Sequence, residues 1–332
     1  MGPRLIDVAE RAGVSTATAS RVLNAKRGVS EHTRAAVFTA ADALGYARGR
    51  RQRLASPIGV IVPELENPVF AAFAQLLSTS LRQHGHSPIL GTETAAGISE
   101  DEWIEMLLEL GAAGMVVVSG MHADRTADVG RYERLLSLGL PLALINGFVD
   151  GLDASFLSTD DVVAMKLAVG HLAELGHRTI GLAVGPERYI PVIRKVEGFR
   201  DAAVSRGVTP IVETSLFTME GGAAAARQLI GRGATALVCA SDVMALGAMR
   251  ACVSAGFDVP SDVSVIGFDD SAVAACAGPP LTTIRQPVDV IVAAAVRLLL
   301  DELGGVEPPR QEFLFQPELI VRSSTGHAPT PR

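Results

Sequence analysis

The stretch AGVSTATASRVLNAKRGVS, Ala12 to Ser30, is poor in large apolar residues and rich in small hydroxylated ones. Just before it, Leu5, Val8, Ala9 and Ala12 recur at three- and four-residue spacing, which predicts one apolar face of a short helix. Gly13 supplies the permissive backbone that ends that helix, and Ser15 is placed to cap the next. The second segment, 16–23, turns Ala19, Val22 and Leu23 inward and leaves Thr16, Ala17, Ser20 and Arg21 outward. Two short helices across a three-residue turn read as helix-turn-helix. A third helix is expected to begin after Ser30, with Val37, Ala40, Ala41 and Leu44 inward, and to stop near Gly45. A helix that enters the DNA major groove needs a slim outer face, so that backbone and short hydroxyls reach phosphates while one or two side chains reach base edges. The same helix pair also occurs as a plain corner in proteins that never touch DNA, so charge is the second observation to consult.

The formal net charge is −7, yet it is unevenly spread. Residues 1–56 hold ten Lys and Arg against four acids, a balance of +6, whereas the remaining residues carry 19 basic and 32 acidic groups, a balance of −13. A compact basic head on an acidic body is the footprint expected when only the head meets phosphates. The length of 332 residues suits about two domains, and 48% hydrophobic residues suffice for a buried core. No window reaches the length of an apolar membrane span, and residues 1–11 are polar where a secretory signal has its apolar region, so a cytoplasmic protein without membrane contact is expected. Cys239, Cys252 and Cys276 lack Cys-x-x-Cys spacing or a nearby His, which predicts neither a disulfide framework nor a metal site, but small buried apolar residues.

The pattern D-V-A-x-x-A-G-V-S-x-x-T-x-S-R-V-L-N, Asp7 to Asn24, resembles the head of LacI/GalR-family transcription regulators. The resemblance implies that the second helix lies in the major groove, with Thr16, Ala17 and Arg21 at base edges and Ser15, Thr18, Ser20, Asn24 and Thr33 on the DNA backbone. Thr16 and Ala17 are small for base readers, which leaves Arg21, bidentate to a guanine, as the principal direct reader. The linker departs from the family. Between Tyr46 and Ile58 stand ARGRRQRLASP, with no Pro-Asn after the tyrosine and fewer residues than the family's usual hinge. Leu54 is its only large apolar residue and the candidate minor-groove wedge, with Arg50, Arg51 and Arg53 beside it. The alternative is a flexible basic tether whose arginines only neutralise phosphates.

Beyond Pro57, short β-branched runs alternate with helix-period segments: IGVIV (58–62), PIL (88–90), MVVV (115–118), PLALI (141–145), TIGLAV (179–184), ALVCA (236–240) and VSVIGF (263–268). A stripe of Val69, Phe70, Phe73, Leu76, Leu77 and Leu81 marks a helix over 69–84, ended by Gly85. This is βαβ repetition, hence parallel sheets covered by helices, and its length favours two α/β lobes split near residue 159. Such folds host many enzymes. Here, however, IGVIV is followed by PELENPVF rather than G-x-G-x-x-G, and no P-loop, G-x-S-x-G elbow or metal-spaced histidines occur. His177, after a helix-ending Gly, reads as a turn or helix-terminus residue rather than a general base. Catalysis and a cofactor are therefore not expected.

The resemblance continues to about residue 325 through IGVIVPELENPVF, STDD (158–161), HLAELGH (171–177), SDVMALGAMR (241–250), VPSDVSVIGFDD (259–270) and PPLTTIRQP (279–287). It implies a core similar to periplasmic sugar-binding proteins, with an effector between two lobes and three chain crossings. The implied organisation is a head at 1–47, a basic linker at 48–57, a core at 58–325 and a disordered tail at 326–332. One lobe takes about 58–158 plus 287–314, the other 159–286 plus 315–323. By motif, Asn67, Phe70 and Asn146 line one wall; Lys195 stands where the family usually has an arginine; Phe217, Ser241, Asp269 and Gln286 complete the set. A carboxylate, a cation and amides around an aromatic ring suit a polyol. Lysine cannot clamp two oxygens as arginine does, which weakens transfer of any particular effector. Phe70 and Phe217 also fit a core role, Asp242 and Asp270 fit strand-to-helix caps, and Asp160 fits either a structural or a cleft position. The sequence thus predicts a helix-turn-helix head on a two-lobed α/β core: a sequence-specific regulator, a repressor in the first instance, homodimeric on pseudo-palindromic double-stranded DNA and controlled by a small effector, a sugar. The alternatives are a solute-binding protein and a regulator using a purine-type corepressor.

Overall fold

The computed structural model describes residues 5–23, 29–43, 55–93 and 97–330. Asn24, Arg50, Arg51, Arg53 and Leu54 lie outside the described residues, and so does the question of a hinge helix. The chain divides into two compact units between Ser56 and Pro57.

In the first unit, α1 (Leu5–Arg11), α2 (Thr16–Leu23) and α3 (Glu31–Ala43) pack around Val8, Ala9, Ala19, Val22, Val37, Ala40 and Ala41. Gly13 adopts φ +66°, a left-handed conformation that lets the chain leave α1 and turn into α2. Ser15 Oγ accepts from Thr18 N at 3.1 Å, and Ser30 Oγ accepts from Thr33 N at 3.2 Å, so a serine caps each of the last two helices.

The strand β1 (Ala55–Val62) spans the boundary, and the second unit continues with α4 (Pro68–Gln83), β2 (His86–Thr92), α5 (Glu100–Glu109), β3 (Gly114–Val118), α6 (Gly130–Ser137), β4 (Leu142–Ile145) and β5 (Ser155–Thr159). There follow α7 (Asp161–Glu174), β6 (Thr179–Val184), α8 (Ile190–Ser205), β7 (Thr209–Thr214), α9 (Met219–Gly231), β8 (Ala236–Cys239) and α10 (Asp242–Ser254). The chain closes with β9 (Ser264–Asp269), α11 (Ala272–Cys276), β10 (Thr282–Arg285), α12 (Val288–Leu303), β11 (Glu312–Phe315) and β12 (Glu318–Ile320).

These strands form two six-stranded sheets, ordered β2-β1-β3-β4-β5-β11 and β7-β6-β8-β9-β10-β12. In the second sheet all pairs are parallel except β10 with β12. Pro88 and Pro210 fall in β2 and β7, both edge strands, where a missing N–H costs no ladder bond. On one face of the first sheet, Phe73, Leu77 and Leu81 of α4 meet Ile291, Val292, Val296 and Leu299 of α12 over Val60, Val116 and Val118. On the other, Ile104, Leu107, Tyr132 and Leu135 cover Met115, Val117 and Leu144. The second sheet is enclosed by one continuous core that includes Met165, Phe199, Leu229, Met244 and Phe268.

The chain passes between the sheets three times, after Thr159, around Gln286 and between Phe315 and Glu318. Four sequence expectations need correction. Phe315 pairs with Thr159 and belongs to the first sheet, so the last crossing comes after residue 315. Leu76, counted in the inner stripe of α4, is 37% exposed, because the buried face follows Val69, Phe73, Leu77 and Leu81. Cys239 and Cys252 are buried, but Cys276 is exposed. The segment taken as a disordered tail is held in its first residues: Ala328 N donates to Leu175 O at 2.9 Å, and Gly326 O accepts from His177 Nε2 at 3.1 Å. Among the described residues no helix is long and apolar enough to cross a membrane.

Candidate functional site

Parallel sheets leave a crevice beyond the carboxyl ends of their strands, where loops and helix N-termini converge. In the second unit that crevice is a cavity of about 240 Å³ walled by both sheets. Its first wall comes from the β1–α4 turn, with Glu64, Asn67 and Phe70, and from the ends of β3, β4 and β5, with Ser119, Asn146, Ser158 and Thr159. Its second wall comes from Asp161 on α7, Tyr189 and Lys195 at α8, Phe217 before α9, Ser241 after β8, Phe268 and Asp269 on β9, and Gln286 on the crossover. Asn67, Phe70, Asn146, Lys195, Phe217, Ser241, Asp269 and Gln286, the eight residues implied by motif, are all brought together here.

Backbone strain is concentrated around this cavity. Among the described residues the non-glycine positions with positive φ are Ser119, Asn146, Asp269 and Asp270, at 48°, 63°, 120° and 54°, all at strand ends. Such conformations cost about 1–3 kcal/mol each and persist where surrounding packing dictates them. One support is a buried network behind Asn146. His122 Nε2 donates to Ile145 O at 2.9 Å, Tyr132 O–H donates to Glu100 Oε1, and Glu100 Oε2 accepts from Met121 N at 2.9 Å. Full burial pushes His122 down to about 4, and burial raises the Glu100 carboxyl despite its hydrogen bonds from Tyr132 and Met121. Asn146 Nδ2 in turn donates to Ser119 Oγ at 3.1 Å, tying the ends of β3 and β4 together.

Asp269 anchors the opposite wall. Gln286 Nε2 donates to its Oδ1 at 2.6 Å, while Gln286 Oε1 accepts from Thr159 Oγ1 at 2.9 Å. Its Oδ2 is buried with no protein hydrogen-bond partner, and so is Ser158 Oγ. Burial and then the neighbouring Asp242 carboxylate raise Asp269 well above the usual range, against lowering contributions from Gln286, Lys195 and Asn67. Lys195 Nζ donates to Asp161 Oδ1 and lies 4.0 Å from the centroid of the Phe268 ring. Burial raises Asp161, and Lys195 opposes that shift.

The other residues resolve as follows. Phe217 is not core: its ring is 40% exposed in the cavity, 6.2 Å from Tyr189, and Gly185 makes room for it, since a Cβ there would sit 2.1 Å from Phe217 Cε2. Phe70 is half-buried, packing on the first core while lining the cavity. Asn67 and Ser241 also cap α4 and α10 through Val69 N and Met244 N. Asp160 caps α7, so its neighbour Asp161 is the residue that faces the cavity. Asp242 and Asp270 cap no helix with their side chains. Asp242 accepts from Ser271 N at 2.7 Å and Thr283 Oγ1 at 2.6 Å, fixing the turn after Asp269, and Asp270 pairs with Arg285 and Arg322. His177 is buried, with Nδ1 2.9 Å from Thr235 Oγ1. Asp161, Ser158, Thr159 and Tyr189 were not named as cleft residues from the sequence, although the family-like stretch STDD contains the first three. Near Tyr189 the two walls also touch directly, since Asp124 pairs with Arg188 at 2.9 Å and Arg125 N donates to Arg188 O at 3.0 Å. No group of residues able to hold a metal occurs among the described residues.

On the first unit, Ser15, Thr16, Ala17 and Arg21 are exposed, whereas Thr18, Ser20 and Thr33 are half-buried. The hydroxyls of Ser15 and Thr18 lie 2.8 Å apart, as do those of Ser30 and Thr33.

A helix-turn-helix unit joined in sequence to a two-lobed core with an interlobar cavity defines a class of regulator whose core is built like a periplasmic binding protein. Residues 4–48 match the bacterial regulatory proteins of the lacI family, and 169–325 match the periplasmic binding protein-like domain. The chain is 53% identical over 341 residues to the HTH-type transcriptional regulator MalR of Streptomyces coelicolor, covering 100% of this chain and 99% of that protein. Among solved structures, the lac repressor dimer bound to operator and the anti-inducer ONPF is 27% identical, with a TM-score of 0.83 over 98% of this chain and 100% of that one. The complex of the transcriptional regulator CelR with cellobiose is 30% identical, with a TM-score of 0.72 over 97% and 99%. This chain belongs to the lacI family and is a helix-turn-helix transcriptional regulator.

Proposed function

We propose that the protein is a cytoplasmic, homodimeric repressor without enzymatic activity, whose affinity for a roughly palindromic operator is set by a sugar bound between the lobes of its core. The observation that carries the reading is the convergence of Asn67, Phe70, Asn146, Lys195, Phe217, Ser241, Asp269 and Gln286 on one cavity. Amides, a carboxylate and aromatic faces are the groups that paired hydroxyls and a C–H surface require. The cellobiose bound to CelR supports the same ligand class. In the head, Thr16, Ala17 and Arg21 are assigned to base edges and Ser15, Thr18, Ser20, Asn24 and Thr33 to the DNA backbone; Arg50, Arg51, Arg53 and Leu54 are assigned to the linker's contacts. Two heads on a symmetric dimer require two half-sites. The effector acts by favouring one arrangement of the lobes, which changes the population of DNA-competent dimers.

The test is selection of random duplex DNA by the purified protein at near-physiological salt, repeated with mixtures of sugars. The expected result is one palindromic motif whose retention changes with a particular sugar. Retained DNA without a motif overturns sequence-specific readout, and a motif indifferent to every sugar overturns the effector class.

A further inference from the structure

We infer that the cleft selects an uncharged polyol and rejects anionic esters of the same sugars, and that Asp161 sets this selectivity by consuming the charge of Lys195. The inference rests on the reading of the cavity as the effector site and adds the ligand's charge to it.

The first ground is the balance of charge on the walls. Among the described residues that line the cavity, three carboxylates, Glu64, Asp161 and Asp269, stand against one ammonium, Lys195. That ammonium is already engaged. Its side chain and that of Asp161 are 8% and 5% exposed, their charged atoms are hydrogen-bonded, and the Phe268 ring covers the cation. The two opposite charges cancel and hold each other strongly in this poorly screened site, so the pair offers a ligand no net charge. A phosphate or carboxylate entering the cavity gains no cation of its own and meets two further acids.

The second ground is the pair of polar atoms left without partners. Asp269 Oδ2 and Ser158 Oγ are buried, belong to residues 7% and 3% exposed, and line the same cavity. Burial without a hydrogen bond is costly, so each calls for a complement. An ionised Asp269 accepts only, and a sugar hydroxyl can donate to it while accepting from Ser158 Oγ–H. A dianionic phosphate group placed there has no proton to give. If Asp269 carries its proton, it donates instead, and the cavity still holds no spare cation. Around these groups Phe70, Tyr189 and Phe217 offer apolar faces to C–H bonds.

The experiment uses calorimetry on the full chain with matched probes: glucose against glucose 6-phosphate, ribose against ribose 5-phosphate, maltose and cellobiose against their phosphate esters, and inorganic phosphate against chloride at equal ionic strength. The wild type is expected to bind at least one neutral sugar and none of the anions. In Asp161→Asn the freed Lys195 is expected to bind inorganic phosphate on the order of tenfold or more tightly than the wild type, and Lys195→Met in the same background removes that gain. Wild-type binding of an ester in preference to its parent, abolished by Lys195→Met, overturns the inference and leaves the sugar reading intact. Rejection of every sugar and ester by the wild type, with phosphate gained in Asp161→Asn, overturns the sugar reading and leaves the charge selectivity. An Asp161→Asn protein that folds and gains no phosphate removes Asp161 from the role. If that variant does not fold, the wild-type comparison of parent sugar and ester decides on its own.

Discussion

Gln286 holds Asp269 with its amide nitrogen at 2.6 Å and Thr159 with its amide oxygen at 2.9 Å, so a single side chain on a crossover connects the ends of both sheets. If the effector engages Asp269, as proposed, this bridge links that contact to the end of the first sheet. Gln286→Met keeps the volume and removes both bonds. It is expected to destabilise the protein by about 1–3 kcal/mol through the unpaired buried groups, and to weaken effector binding. Denaturant melts and a sugar titration check both, and an unchanged effector response removes Gln286 from the coupling.

Asp269→Asn separates recognition from folding. The folded carboxyl is raised by burial and by Asp242, so its contribution to stability is greatest below the unfolded value and is lost as pH rises through the folded one. The variant is therefore expected to gain on the wild type in thermal melts as pH rises, while its effector response disappears. A normal response would place the sugar elsewhere.

His122 gives the opposite pH sign. Its folded value is about 4 against an ordinary 6.5, so the neutral ring contributes stability above 6.5 that is lost as pH falls toward 4. The window corresponds to about 3 kcal/mol. Stabilities of wild type and His122→Gln are expected to diverge by roughly this amount in total across that range, and parallel curves would show that folding does not shift the titration of the ring.

Two phenylalanines test cavity against core. Phe217→Ala, at a ring 40% exposed, is expected to cost little stability and much effector affinity. Phe199→Ala, at a fully buried ring, is expected to cost about 3–5 kcal/mol. Comparable losses of stability in the two variants would return Phe217 to the core.

In the head, Arg21→Ala is expected to relax base preference at one position of each half-site, about 1–3 kcal/mol of discrimination, read by repeating the duplex selection. Equal weakening on all sequences would mean that Arg21 touches phosphate alone. Ser30→Ala is expected to cost about 1 kcal/mol of stability by removing the cap on Thr33 N.

Periodicity and punctuation determined much of this protein by themselves. The three-helix head was legible because Gly13, Ser15 and Ser30 act within a few residues of where they stand, and the alternation of apolar runs and helical stripes exposed the α/β core. Several strands escaped. Ser155–Thr159 mixes hydroxyls with apolar residues, Thr209–Thr214 carries a proline tolerated at a sheet edge, and Thr282–Arg285 is short and hydroxyl-rich. Motif resemblance named eight residues that line the cavity, of which Asn146, Ser241 and Asp269 lie at recognisable strand ends, whereas Lys195 sits within α8. What only the tertiary structure decided is which of them are engaged and by what. The partner of Lys195 lies 34 positions away on another helix, and Gln286 is bonded across 17 and 127 positions. Those distances in sequence carry no local signal, because a buried ion pair or a bridging amide is fixed by how helices and sheets pack, and the charge the cavity presents to a ligand follows from that packing.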